Sequence, residues 1–237
     1  MRKTLILFFL AFAWTLNAQE MATLKRLKTD RKHRKLTASE NIFLLQNGVL
    51  LVRLDQQQRR IEYYTKYNNL KEAEKVRQKM LTENRAIIDA FRTYYTFSPL
   101  YFIAMEDTRT LLEKGMSAVT FYNDSALADP SIRPPDLDFF VAEFGFVSQD
   151  TTMYISGKAP DPSNESNPEG VRYYGGSKNT KPALVIYDNS MEQLRDPFPY
   201  YFGYSHFGRV KKRYRNPVLR WQQQLTKYLE KTVRKAD

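Results

Sequence analysis

The sequence predicts one mixed α/β or α+β domain, with a sheet of about five or six strands, a helical hairpin insertion and a terminal amphipathic helix. Three observations carry this expectation. Short β-branched and aromatic runs recur between turn residues, as strands require. Residues 56–95 switch to apolar positions three and four apart, the period of a helix with one buried face. Residues 216–234 repeat that pattern behind an Asn-Pro start.

The N-terminus reads as an export signal. Arg2 and Lys3 supply the positive start, Leu5 to Leu16 an almost wholly apolar run, and Ala18 the small residue before a cut that leaves Gln19 first. A membrane-crossing helix needs roughly 20 apolar residues, and this run is shorter. Residues 1–18 are therefore expected to be a signal peptide and 19–39 a basic arm with little to bury, mobile or lying on the surface. Residues 40–237 are expected to form the domain. The sequence has no cysteine, so disulfides, thiol catalysis, thiolate metal sites and a cysteine lipid anchor are excluded.

Within the domain, Asn47-Gly48 precedes the strand Val49 to Leu54 (VLLVRL). Tyr63, Tyr67 and Leu70, then Ala73, Val76, Met80, Ile87, Phe91 and Tyr94 beyond an Asn68-Asn69 break, mark a helical hairpin. No second copy follows at a fixed period, which excludes a helical solenoid. LYFIAM (100–105) is a strand, a brief helix follows between Asp107 or Thr108 and Gly115, and AVTFY (118–122) is a further strand, a spacing that predicts a parallel crossover. A proline-rich link (129–136) leads to the strand Asp138 to Val147, for which Thr151 to Ile155 is the expected hairpin partner. Residues 157–182, with four prolines and four glycines, are expected to be a long loop. ALVIY (183–187) is a strand, and an aromatic segment (200–207) follows. The last helix is expected to start at the Asn216 cap with Pro217 in first position. Its stripe of Val218, Trp221, Leu225, Tyr228, Leu229 and Val233 faces the sheet, while Arg220, Lys227, Lys231 and Arg234 face solvent.

The net charge of +11 is concentrated at the ends. Residues 25–35 carry +6 and residues 209–237 carry +8, so the remainder of the chain left after the signal is mildly acidic. The segment 200–215 (YYFGYSHFGRVKKRYR) interleaves aromatic rings with cations, a pattern that binds polyanions. Its candidate binding residues are Arg209, Lys211, Lys212, Arg213, Tyr214 and Arg215. Export argues against nucleic acid as the partner and for anionic polymer, a membrane surface or an acidic protein.

Complete catalytic motifs are lacking. In Gly203 to Gly208 the second glycine falls one place late for a nucleophile elbow, and Ser205 and His206 are adjacent. Gly170 to Lys178 has a misplaced lysine for a phosphate loop and no helical pattern behind it. With only His33 and His206, a histidine metal site is not expected. The one carboxylate set open to calcium or magnesium (Asp136, Asp138 and Glu143) is weakened by strand parity, and no cofactor is expected. The weak catalytic candidates are Glu143, Asp136, Asp138 and His206. Glu143 stands in an apolar strand, where an ionised carboxylate must be paired, tuned for general acid chemistry, or turned to water. If it is paired, the partner is an arginine such as Arg53. Asp136 and Asp138 share one strand face and Glu143 falls on the other by parity. Asn123 and Asn164 each begin a glycosylation triplet, relevant only in a eukaryotic source.

The strings NGVLLVRL, FSPLYFIAM and FFVAEFG, behind a leader ending Asn-Ala-Gln, resemble uncharacterised exported proteins of Bacteroidota over roughly residues 40–200. That resemblance implies a Gram-negative envelope setting and no particular activity. The favoured expectation is a non-enzymatic periplasmic or secreted protein that binds anionic envelope material or a partner through its basic ends. The alternative is an envelope hydrolase or transferase built on Glu143.

Overall fold

A five-stranded mixed sheet, in the order β2-β1-β3-β6-β7, organises the chain. The computed structural model describes residues 32–148, 153–155, 171–173, 181–205 and 209–234. The expected signal, most of the basic arm, much of the 157–182 segment and His206 lie outside the described residues.

Strands β1 (Val49–Leu54), β2 (Leu100–Ala104) and β3 (Phe139–Phe146) run parallel, with β1 in the middle. Strand β6 (Pro182–Tyr187) pairs antiparallel with β3, and β7 (Tyr201–Gly203) antiparallel with β6. Two further strands, β4 (Met153–Ile155) and β5 (Val171–Tyr173), pair antiparallel as a separate ribbon. The partner of 153–155 is thus not β3 but a strand inside the segment expected to be a loop.

The first crossover, β1 to β2, passes through α2 (Gln58–Lys66) and the long α3 (Leu70–Tyr94), whose Asn69 cap accepts a hydrogen bond from the Glu72 N–H. The return from β2 to β3 passes under the opposite face. It contains α4 (Thr108–Lys114), two short 3-10 turns and the proline-rich link. AVTFY is not a strand: Met116–Ala118 is a 3-10 turn, and Phe121 makes one antiparallel bridge to Ile103. The reason is packing. Val119 and Phe121 turn inward with Leu111 and Met116 to cover Val49, Leu51, Ile103 and Val141 on the second face of the sheet.

The larger core lies on the first face. Three helices cover it: α1 (residues 32–47), α3, and α5 (Val210–Val233). The arm is shorter than expected, because residues 32–39 continue as helix into 40–47 and bury Ala38, Ile42 and Leu45. Gly48 closes α1 into β1, and a side chain there would run into the Asp138 and Leu44 carbonyl oxygens.

Helix α5 starts two turns before the expected Asn216 cap. Pro217 lies inside it, which removes one hydrogen bond to the carbonyl four residues earlier. Tertiary contact holds the preceding turns: the Tyr214 ring meets Phe144 edge-on with centroids 4.7 Å apart. Farther along, Trp221 stacks on Tyr95 at 5.1 Å and donates its indole N–H to the Pro199 carbonyl at 2.9 Å. Val218, Trp221 and Leu225 are fully buried, each contributing about 1.5–3 kcal/mol by area. No helix among the described residues is long and apolar enough to cross a membrane.

Candidate functional site

Two places concentrate charge. The first is the seam between the parallel strands β1 and β3, toward their carboxyl ends. Arg53 on β1 and Glu143 on β3 span it. The Arg53 guanidinium donates to Glu143 Oε2 at 2.5 Å, and the Tyr187 hydroxyl donates to Glu143 Oε1 at 2.9 Å. A second Arg53 nitrogen reaches the Met105 carbonyl at 3.4 Å.

Both charged side chains are largely enclosed, with 14% and 13% of their area exposed. Such a pair is retained because removing either partner strands the other charge. Burial, followed by the Glu143 charge and its hydrogen bond, pushes the Tyr187 phenol well above its ordinary range. Gly145, two residues along the same face, leaves room for the carboxylate; a Cβ there would stand 2.8 Å from Glu143 Oε1. Each carboxylate oxygen is thus held by one donor, Arg53 on Oε2 and Tyr187 on Oε1.

The other candidate acids are not gathered here. Asp136 and Asp138 are exposed, and the Asp138 carbonyl accepts the Val49 N–H at 2.9 Å, at the opposite end of β1. Five residues of strand, about 16 Å at about 3.3 Å each, separate Asp138 from Glu143, and the two alternate in face. His206 lies outside the described residues. Among those described, no group of three His, Asp or Glu side chains is placed to hold a metal. His33 is on α1, where its ring meets Thr37 at 3.2 Å.

The second place is the outer surface of the helical layer. The six candidate binding residues fall on α5 and at its start, and the helix divides them. Arg209, Lys211, Lys212 and Arg215 are exposed. Lys211 lies 3.7 Å from Asp89, and Arg215 sits over the Tyr94 ring at 5.1 Å. Arg213 instead turns inward, with 14% of its side chain exposed and its guanidinium 3.4 Å from Glu83 on α3. Tyr214 is buried; burial, with the Glu83 charge second, raises its phenol. Nearby Tyr204 is pushed up to about 12, again chiefly by burial. Arg213 and Tyr214 are thus corrected from binding residues to packing residues. The reason is helical period: Pro217 stands four residues on from Arg213, and Pro217, Val218 and Trp221 stand three, four and seven on from Tyr214, along the inward stripe.

Farther along α5 the outward cations continue with Arg220, Lys227, Lys231 and Arg234, all exposed, against Glu230. From Lys212 to Lys227 the row spans about 22 Å at about 1.5 Å per residue. At its far end Tyr228 and Leu229 pack against the cluster that holds Ala38, Ile42 and Leu45 of α1, the helix that carries Ser39. One and two turns before Ser39 stand Lys35 and Lys32. Lys32 and Lys35 thus stand on a helix that packs with α5, an arrangement that no local pattern announced.

No family model matches the chain, and no curated protein or solved structure matches it.

Proposed function

We propose that this is an exported, non-enzymatic binding protein that engages an extended anionic partner of the cell envelope along the outer surface of α5 and the start of α1. The observation that supports it is the core shared by α1 and α5, which sets the exposed Lys32 and Lys35 on a helix packed with the one that carries the α5 cations. Among the described residues Lys212, Arg220 and Lys227 have no ion pair. Their charge is therefore available to an outside anion rather than consumed within the fold. Exposed cations of this kind give salt-sensitive association with modest site geometry.

The test is retention on an immobilised polyanion across a salt gradient, comparing the natural sequence with Lys212→Glu/Arg220→Glu/Lys227→Glu. Loss of retention at low salt with an unchanged melting temperature supports the reading. Equal retention of both proteins refutes it.

A further inference from the structure

We infer that the α2–α3 hairpin is a membrane-contacting prong that seats its tyrosines in an anionic lipid–water interface. The proposal stands on residues separate from the α5 surface.

The hairpin projects beyond the rest of the fold. Helix α3 is 25 residues long, about 37 Å at about 1.5 Å per residue, against six residues for β1. Only its second half meets the sheet, through Ala86, Ile87, Ile88, Ala90 and Phe91. In the first half, Ala73 and Val76 are buried but belong to neither core cluster, and α2 packs against this half of α3. Helix α2 has no buried residue.

What the prong presents is not an ordinary solvated surface. Tyr63, Tyr67 and Leu70 are 59%, 64% and 60% exposed. The Tyr63 and Tyr67 rings lie 4.8 Å apart, centroid to centroid, forming one aromatic knob beside Leu70 at the turn. Arg59, Arg60, Lys66 and Lys71 surround the knob and are exposed, with no ion pair among the described residues. The nearby carboxylates are engaged along their own helices: Glu62 with Gln58, Glu72 with Lys75, and Glu74 with Arg77.

Rings with a polar tip, ringed by long cationic side chains, match the level of lipid headgroups. There the ring body enters the acyl boundary, the hydroxyl stays wet and the cations meet phosphate. A second copy of the chain is a poorer occupant, because it would set the same four cations of each knob against each other. An aliphatic protein groove would leave the tyrosine hydroxyls and cations without partners.

The experiment uses the chain without its expected signal, residues 1–18, so that its sole native tryptophan is the buried Trp221. Tyr67→Trp places a fluorescent reporter on the knob. Vesicles of phosphatidylcholine with phosphatidylglycerol are expected to shift its emission to the blue and shield it from an aqueous quencher. Phosphatidylcholine alone is expected to do neither. Tyr63→Ser/Tyr67→Ser/Leu70→Ser is expected to weaken anionic-vesicle binding roughly tenfold while retention on the soluble polyanion stays the same.

An unshifted emission spectrum of the Tyr67→Trp variant with anionic vesicles overturns the proposal. So does full vesicle affinity in the triple serine variant. Concentration-dependent dimers abolished by the serine variant would assign the knob to self-association and overturn it too. The α5 charge-reversal variant, tested beside these, fails or succeeds on the polyanion independently of the fluorescence readout.

Discussion

Ile42 of α1 and Trp221 of α5 are buried in one cluster, tying the first described helix to the last. The shared core sets Lys32 and Lys35 on a helix packed with the one that carries the α5 cation row and makes α1 an integral wall.

Ile42→Ala should cost about 2–5 kcal/mol, the range for emptying a buried aliphatic site. Ile42 is fully buried in the cluster that also holds Val218 and Trp221. Urea unfolding measures the loss. A change below about 0.5 kcal/mol, the range of surface substitutions, would show that α1 is peripheral.

At the sheet seam, Glu143→Gln should destabilise the fold by about 3 kcal/mol, because it leaves the enclosed Arg53 guanidinium without its charge partner. Arg53→Met combined with Glu143→Leu should recover much of that loss, since the uncompensated charge is gone. A double-mutant cycle on thermal unfolding separates the pair's coupling from the single losses.

Alkaline pH should weaken the fold through Tyr187. Its phenol is raised above the ordinary value of 10.0 in the folded state. The unfolded chain therefore loses that proton first, and stability falls as pH rises past about 10. Tyr187→Phe should flatten part of this decline, the remainder coming from Tyr95, Tyr122, Tyr204, Tyr214 and Tyr228, which are raised in the same direction. An identical slope in the variant would mean that Tyr187 ionises as freely folded as unfolded.

Neighbouring cations on α5 should behave oppositely. Lys212→Ala is expected to change stability by less than about 0.5 kcal/mol and to weaken polyanion retention. Arg213→Ala should destabilise by about 1–3 kcal/mol, because it strips the partly enclosed Glu83 of its partner and removes packing over Tyr214. Melting curves and salt elution together distinguish the two roles.

Much of this architecture was legible because the decisive patterns are local. VLLVRL, LYFIAM and ALVIY are strands, and the 56–95 periodicity is a hairpin, since each depends on spacing within one window. The Arg53–Glu143 pair was legible as an expectation because an acid in an apolar strand demands a partner. Errors arose where tertiary packing overrode local preference. Asn216-Pro217 has the chemistry of a helix start, yet Tyr214 against Phe144 draws two earlier turns into the helix. Ala38, Ile42 and Leu45 have the four-then-three spacing of a buried stripe, but a dense run of cations before them obscured it. Tyr187 at Glu143 could not be read in advance, because its reach depends on the register of β6 against β3.

The placement of Trp221 carries a consequence for how the molecule comes into being. Its ring closes against Phe91 and Tyr95, so the main core lacks its central plug until α5 has arrived. A chain whose last helix has not docked leaves Phe91 and Tyr95 open to water and its core open to proteolysis. Docking of the C-terminal helix is the event that turns a vulnerable thread into a finished molecule.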